Sequence, residues 1–272
     1  MEKIKTGTVL SVFEPGEIKK NFEKTELFLE KGRFNNCDLV VFPELNLTGY
    51  ITGKDVCDTA IEFDCEFKTK LELLSLKYSL SFLCGFAEKN KDKIYASHAF
   101  FHNGKFAGIY RKLQPGPPEL SHISPGNEIP VFNFLDWKFG IQLCFDAHFP
   151  EISTIMAENG ADLLIIPHAS PRGTSKEKFE SWKRHLLARA YDNGLYVIAV
   201  NQCGFNKKNL YFPGVSLLIS PSGRIENYCL EEKETFFCFE LYKSKITEVK
   251  NHRMKNFLKY RRKDFYSKFF RQ

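Results

Sequence analysis

The sequence predicts an α/β fold in which mixed β-sheets are covered by helices on their outer faces. Strand-like and helix-like segments alternate along all 272 residues, which is typical of layered α/β domains. Hairpin signals interrupt this alternation, above all Asn103-Gly104, and predict antiparallel pairs within otherwise parallel sheets. Internal repeats and low-complexity linkers are absent from the sequence, so we predict a single domain over residues 1–272.

The first half of the chain combines two amphipathic helices with short apolar strands. Apolar residues at helical spacing, with charges on the opposite face, predict helices over 18–30 and 68–78. Short apolar runs between turn signals predict strands at 6–12, 38–42, 81–88, 95–101 and 105–110.

The second half continues the alternation and ends in a β-rich segment. Glycine is the usual residue just beyond a helix end, so Gly160 and Gly194 close predicted helices over 151–159 and 177–193. Strands are predicted at 138–143, 162–166, 195–200, 215–219, 224–229 and 235–241.

Composition favours a cytoplasmic protein without a metal or a disulfide framework. The eight cysteines are scattered without Cys-x-x-Cys pairs, which fits a reducing compartment. Apolar runs stay well short of the roughly 18 residues that a membrane helix requires. Residues 1–7 lead directly into a strand pattern, without the apolar stretch of a signal peptide. His98 and His102 share one face of a predicted strand but lack further ligands, so we expect no metal site.

The net charge of +6 is concentrated at the C-terminal end. Residues 241–272 carry a local charge of +9, which leaves −3 on residues 1–240. A basic segment of this kind is typical of proteins that bind nucleic acid or an anionic membrane surface. When aromatic residues accompany its arginines, it is also typical of a protein–protein interface. Apolar side chains are interleaved here, so we predict an arm that packs on a partner subunit, in a homodimer or larger homo-oligomer, and no binding to nucleic acid or membrane. They are Phe257, Leu258, Tyr260, Phe265, Tyr266, Phe269 and Phe270.

Cys144 lies where a predicted strand gives way to a predicted helix. An apolar run ends at this cysteine, a short turn follows, and Pro150-Glu151 begins the helix. Several hydrolase folds expose a nucleophile at such a turn, beside backbone amides that stabilise an oxyanion. A free cysteine is otherwise usually a buried small hydrophobe, so the turn alone leaves both interpretations open.

Glu44 and Lys112 also follow predicted strands. Pro43 stops the strand that precedes Glu44, and Lys112 follows Tyr110-Arg111 at another strand end. A buried carboxylate is costly without a partner, so Glu44 is either a salt-bridged structural group or a base. A lone strand-end lysine is ordinarily a solvated charge.

These segments resemble the nitrilase superfamily of carbon–nitrogen hydrolases, whose triad is Glu, Lys and Cys. Three motifs match in order, and the resemblance extends from about Lys5 to Tyr266. They are Phe-Pro-Glu-Leu at 42–45, Tyr-Arg-Lys at 110–112 and Cys-aromatic-Asp-x-x-Phe-Pro-Glu at 144–151. The resemblance implies a four-layer α-β-β-α sandwich with two mixed sheets, and it implies Glu44, Lys112 and Cys144 as the catalytic residues.

The chemistry of that triad predicts amide hydrolysis through a thioester and requires no cofactor. Glu44 would take the thiol proton of Cys144 and return it to the leaving nitrogen. Lys112 and the backbone N–H of Phe145 would stabilise the oxyanion. The substrate is then a small amide or an N-carbamoyl amine. An acyltransferase and a true nitrilase remain alternatives, and a non-catalytic interaction protein is a further one.

Further residues are candidates by their position near the triad. In some family members a second glutamate supports the lysine, and Glu119 lies in that region. Asp146 matches the Cys-x-Asp pattern of amidase-like branches, whereas His148 stands where many of these have Arg. We also expect pocket loops to present Tyr50, His168 and Arg172 to the substrate. Arg172 would bind a substrate carboxylate, or it is a solvated loop residue.

Overall fold

The computed structural model describes residues 2–51 and 53–269 of the chain. It has two mixed sheets that face each other, with helices on both outer faces, so the predicted four-layer α-β-β-α fold is confirmed. The last residues of the predicted C-terminal arm, 270–272, lie outside the described residues.

The first sheet contains most strands of the N-terminal half. Its order is β15-β1-β2-β4-β5-β6, with β3 beside β4. Pairs β1/β2 and β2/β4 are parallel, whereas β4, β5 and β6 are antiparallel neighbours. The strands are β1 (Lys3–Leu10), β2 (Leu39–Val41), β3 (Ile61–Glu62), β4 (Ser81–Asn90), β5 (Lys93–His102), β6 (Lys105–Arg111) and β15 (Thr235–Tyr242).

The second sheet is built from the C-terminal half in the order β14-β13-β10-β9-β8-β7. Strands β8, β9 and β10 run parallel, and the outer pairs are antiparallel. These strands are β7 (Val131–Phe134), β8 (Trp137–Ile141), β9 (Leu163–His168), β10 (Tyr196–Asn201), β13 (Gly214–Ile219) and β14 (Ile225–Glu231), with the small hairpin β11 (Gly204–Phe205) and β12 (Tyr211–Phe212) outside the sheet.

Helices cover the outer face of each sheet. Helix α1 buries Phe28 and Leu29, and α3 buries Leu71, against the first sheet. Helices α4 and α5 pack together over the second sheet, where Trp182 joins the central core. The helices are α1 (Ile18–Phe34), α2 (Val56–Thr59), α3 (Cys65–Tyr78), α4 (Pro150–Glu158), α5 (Ser175–Asn193), α6 (Lys243–Asn251) and α7 (Lys263–Tyr266).

One apolar core fills the space between the two sheets. Val41 of the first sheet and Ile165 of the second belong to it, and both are fully buried. A hydrogen bond of 2.8 Å between the hydroxyls of Thr8 and Ser216 also joins the sheets. Because the two sheets face each other, residues that follow strand ends in either sheet meet at the edge of the shared core.

The C-terminal segment departs from the prediction of an arm that packs wholly on a partner. Its first part forms α6, which buries Ile246 and Val249 against the chain's own domain. Lys243 and Lys250 both form ion pairs with Asp162. The following residues still expose apolar surface, so contact with a partner through residues 252–269 stays a prediction. The exposed side chains are Met254, Phe257, Tyr260, Phe265, Tyr266 and Phe269.

Among residues 2–51 and 53–269, every helix is too short or too polar to cross a membrane.

Candidate active site

Cys144 lies at the predicted turn between β8 and α4. It begins a 3₁₀ helix, Cys144–His148, and its φ angle is +43°. Left-handed backbone is costly for a residue with a Cβ atom, and such strain is concentrated at functional sites. The side chain is partly exposed. The turn therefore holds a partly exposed thiol in a strained backbone conformation.

Glu44, Lys112 and Glu119 form one buried ionic cluster. Lys112 Nζ lies 2.8 Å from Glu44 Oε1 and 2.8 Å from Glu119 Oε2. Glu44 follows β2, and Lys112 follows β6 of the same sheet. Glu119 reaches back from the loop after Lys112, where the N–H of Gly116 also donates to it. The structure thus brings Glu44 together with Lys112 and Glu119, which lie in a distant segment of the sequence.

The charges of this cluster act on the Cys144 thiol. Burial, together with the charges of Glu44 and Glu119, raises the pKa of Cys144 to about 12, although Lys112 acts in the opposite direction. Burial also raises the pKa of Glu44 to about 7, although Lys112 acts in the opposite direction. For Lys112, burial lowers the pKa, but the two carboxylates outweigh it and the net shift is upward. Lys112 is therefore an ammonium, and Glu44 changes protonation near neutral pH.

Asp146 and Tyr110 connect the cysteine turn to the strand that carries Lys112. The Tyr110 hydroxyl donates to Asp146 Oδ2 at 2.8 Å, and both side chains are buried. The backbone N–H groups of Leu143 and Gln114 donate to the same carboxylate at 2.9 and 2.8 Å. Burial raises the pKa of Asp146 to about 6. The sequence pattern indicated Asp146 as a candidate residue, but it did not predict this hydrogen bond between the two sheets.

His148 faces helix α5 and not the ionic cluster. Its ring stacks on His185 with a centroid distance of 4.3 Å, and burial lowers its pKa. Arg189 of α5 donates to the carbonyl oxygens of Ala147 and His148 at 3.0 and 3.2 Å. These contacts anchor the turn that carries Cys144, and a contact of His148 with substrate stays a prediction.

His168 and Tyr50 border the cluster. His168 is buried against Trp182 with a ring distance of 4.1 Å, and burial lowers its pKa well below the ordinary value. The next residue, Ala169, donates its N–H to Glu44 Oε2 at 3.0 Å. Burial raises the pKa of Tyr50, and the charges of Glu119 and Glu44 add to the increase. Both residues therefore lie beside the cluster, His168 as a neutral imidazole, and their contact with substrate stays a prediction.

Arg172 lies outside the cluster. Its side chain is exposed, its φ is +77°, and its backbone N–H donates to Tyr211 O. Lys178 of α5, which the sequence analysis overlooked, acts on the nucleophile, because its charge lowers the pKa of Cys144. Within the described part of the chain, no group of His, Cys, Asp and Glu side chains has the geometry to hold a metal ion.

The sequence model of the family described as Carbon-nitrogen hydrolase matches residues 13–251, which include Glu44, Lys112 and Cys144. The chain belongs to this carbon–nitrogen hydrolase family, within the nitrilase superfamily. A Schizosaccharomyces pombe relative that carries the name probable nitrilase is 33% identical over 227 residues, which are 80% of this chain and 81% of the relative. The 2-oxoglutaramate amidase of Bacillus subtilis is 30% identical over 214 residues, 77% of this chain and 80% of that enzyme.

Solved structures share the whole carbon–nitrogen hydrolase fold. A carbon-nitrogen hydrolase from Helicobacter pylori G27 is 28% identical, with a TM-score of 0.88 over 100% of this chain and 99% of that one. An amidase from Nesterenkonia sp. AN1 is 18% identical, with a TM-score of 0.84 over 98% and 97% of the two chains, and its structures include complexes with butyramide and acrylamide. The relatives thus include both amidases and nitrilases.

Proposed function

We propose that this carbon–nitrogen hydrolase cleaves the C–N bond of a small amide through a thioester on Cys144. The observation that carries the proposal is the buried cluster of Glu44, Lys112 and Glu119, whose charges act on the thiol of a strained strand-to-helix turn. A base, a cation and a nucleophile that interact electrostatically are the groups that amide hydrolysis by cysteine requires.

Acylation begins when Cys144 Sγ attacks the amide carbonyl carbon. The pKa of the thiol lies above that of Glu44, so the proton moves to Glu44 as the C–S bond forms and not beforehand. The Lys112 ammonium and the N–H of Phe145 stabilise the oxyanion. Glu44 then gives the proton to the nitrogen, the C–N bond breaks, and the amine leaves.

Deacylation reverses these roles with water as the nucleophile. Glu44 removes a proton from water as the oxygen attacks the thioester carbon. The tetrahedral intermediate collapses, the C–S bond breaks, and the carboxylic acid leaves. Glu44 returns its proton to the sulfur, which regenerates the thiol. Glu119 shares Lys112 with Glu44, so it keeps the ammonium in place whenever Glu44 is protonated.

The preference for amides over nitriles rests on Asp146 in the Cys-Phe-Asp sequence and on amidases among the relatives. N-carbamoyl amines are the next substrate class. We further propose a homo-oligomer, because residues 252–269 expose several aromatic side chains. We also propose a cytoplasmic location, since all eight cysteines are free thiols.

A substrate panel tests the proposal. Purified protein is incubated with aliphatic amides, ω-amides, N-carbamoyl amines and nitriles, and ammonia and acid are measured. Ammonia release from amides, lost in Cys144→Ala, supports the hydrolase. Hydroxamate formation that replaces acid formation when hydroxylamine is added indicates an acyltransferase. Turnover of nitriles alone contradicts the amidase assignment.

A further inference from the structure

Lys178 is a second cation beside the candidate active site. Its Nζ donates to Ser170 Oγ at 2.7 Å and to Pro171 O at 3.4 Å, and the side chain is partly buried. An ammonium has three donors, and both acceptors here are neutral oxygens. One donor of Lys178 is therefore available for a further partner.

Ser170, the hydrogen-bond partner of Lys178, lies next to a residue that contacts Glu44. Ser170 follows Ala169, whose N–H donates to Glu44 Oε2 at 3.0 Å. Asn201 fixes this loop, because its side chain bonds both the N–H and the carbonyl of Ser170. Burial lowers the pKa of Lys178, while the Cys144 sulfur acts in the opposite direction. The ammonium is thus within electrostatic reach of the nucleophile.

Lys178 differs from Lys112 in its counter-ions. Lys112 is neutralised by Glu44 and Glu119, whereas Lys178 forms no ion pair with a carboxylate of the described residues. A partly desolvated charge without a counter-ion is costly. An anionic group on a bound ligand would remove that cost.

We propose that Lys178 binds a carboxylate on the acyl part of the substrate, so that the protein prefers amides that carry an acid group over neutral amides. This inference rests on the proposed function, since it concerns the substrate of the same site. A charge-assisted hydrogen bond in such a site contributes about 10- to 100-fold in affinity.

Ligand binding to an inactive protein tests the carboxylate subsite without turnover. Calorimetry on Cys144→Ala compares succinamate with butyramide, which has the same chain length but no acid group. Succinamate is expected to bind more tightly, and Lys178→Met to reduce the ratio of the two affinities about 10- to 100-fold. The matched control is Lys183→Met on the same helix, where Lys183 pairs with Glu180. This control is expected to keep the ratio.

Three outcomes overturn the carboxylate subsite. They are failure of both ligands to bind, a ratio that stays unchanged in Lys178→Met because neither ligand is weakened, and a ratio that stays unchanged because both ligands are weakened equally, which would give Lys178 a role that does not depend on the carboxylate. Failure of the proposed function is recognised separately. A protein that binds succinamate through Lys178 while its unmutated form releases no ammonia keeps the subsite and lacks the hydrolase activity.

A different observation concerns two thiols remote from this site. Cys37 Sγ and Cys238 Sγ lie 3.7 Å apart, in hydrogen-bond contact. Cys37 is buried in the turn between α1 and β2, and Cys238 is partly exposed on β15. The hydrogen bond with Cys37 lowers the pKa of Cys238 to about 7, against the effect of burial and with help from Lys5. Thiolates are the reactive form of cysteine, so Cys238 is the more nucleophilic partner.

We infer that hydrogen peroxide converts Cys37 and Cys238 into a disulfide. The Cys238 thiolate attacks one peroxide oxygen, the O–O bond breaks, and the released hydroxide takes up a proton to become water. The sulfenic acid left on Cys238 is attacked by the Cys37 sulfur. The S–S bond forms, the S–O bond breaks, and a second water leaves with the Cys37 proton.

Peptide mapping of peroxide-treated, full-length protein under non-reducing conditions tests this pair. A linked peptide that contains both residues and has lost two hydrogens is expected. It should persist in Cys57→Ser, where an exposed cysteine is removed, and disappear in Cys37→Ser, where Cys238 oxidises to sulfinic acid. The oxidised protein should also have a higher Tm, because the bond closes a long loop. Sulfinic acid on Cys238 without a link in the unmutated protein, or a link to Cys57, overturns the inference.

Discussion

The hydroxyl of Tyr110 donates a hydrogen bond of 2.8 Å to Asp146, and this contact joins the two sheets at the candidate active site. Tyr110 precedes Lys112 by two residues on the first sheet, and Asp146 follows Cys144 by two residues beyond the second. A shift of one sheet relative to the other would therefore move the ammonium relative to the thiol. The hydrogen bond maintains the geometry on which the proposed chemistry depends.

Removal of that hydroxyl should impair turnover more than folding. In Tyr110→Phe, Asp146 keeps its two backbone donors, so we expect the free energy of unfolding to fall by only about 1 kcal/mol. We expect kcat to fall about tenfold or more, with a smaller change in KM, because positioning acts mainly on the transition state. Urea titration and steady-state kinetics measure both effects. The control is Tyr78→Phe, whose hydroxyl bonds Glu26 far from the site. An unchanged kcat in Tyr110→Phe would show that the hydrogen bond between Tyr110 and Asp146 has only a structural role.

Loss of the Cys144 thiol should abolish activity and leave the fold intact. Cys144→Ala lacks the thiol, so ammonia release should drop to background. It keeps the Cβ atom, so circular dichroism should stay unchanged. Cys203→Ala is the matched control, because that buried thiol bonds the carbonyl of Glu231 and lies outside the cluster. Mass spectrometry after mixing with a slow ester should find the acyl group on the peptide that holds Cys144. Activity of Cys144→Ala at the wild-type rate would disprove the nucleophile.

The pH dependence of kcat/KM should report the raised pKa of Glu44. A protonated carboxyl group cannot accept the thiol proton, so activity should fall as the pH drops below about 7, the pKa to which burial raises Glu44. Glu44→Gln should lower kcat by several orders of magnitude at every pH, because the amide lacks basicity. An acid limb near the ordinary glutamate value of about 4.3 would contradict this assignment.

Truncation after Asn251 should dissociate the predicted oligomer. The cut retains α6, whose Ile246 and Val249 are buried, and removes the exposed aromatic side chains that follow. Light scattering after gel filtration should show an oligomer of fewer subunits for the truncated protein, and circular dichroism should show that its domain still folds. An unchanged mass would exclude the segment as the interface. Salt-dependent DNA binding lost on truncation would favour the nucleic-acid interpretation.

Hydrophobic periodicity predicted the fold well wherever a segment is long and apolar. The strand β7, Val131–Phe134, escaped prediction because Pro130 precedes it and only four residues pair with β8. Helix α6 escaped because its lysines were interpreted with the rest of the basic segment, although Ile246 and Val249 are spaced for one helix face. A high density of charge makes a helix hard to predict when only two of its side chains are buried in the core.

Glu44, Lys112 and Glu119 could be singled out because their motifs resemble those of the family, whereas contacts between distant side chains could not be predicted. Lys178 lies on a helix with many other charged residues, and its contact with Ser170 depends on where that loop lies. The contact between Tyr110 and Asp146 depends on the offset of the two sheets, which periodicity does not encode. His148 stacks on His185 and Arg172 is exposed, so neither has a contact with the ionic cluster that its place in the chain could have encoded, and a substrate contact by either residue stays a prediction.

The left-handed backbone of Cys144 lowers the thermal stability of the protein at the position that its proposed activity requires. A residue with a Cβ atom in this conformation costs about 1–2 kcal/mol, and glycine avoids most of that cost. Cys144→Gly should therefore unfold at a higher temperature than Cys144→Ala, although both lack the thiol. Directed evolution toward heat resistance alone would consequently favour loss of the nucleophile, and a thermostable variant of this hydrolase has to be selected for turnover at every round.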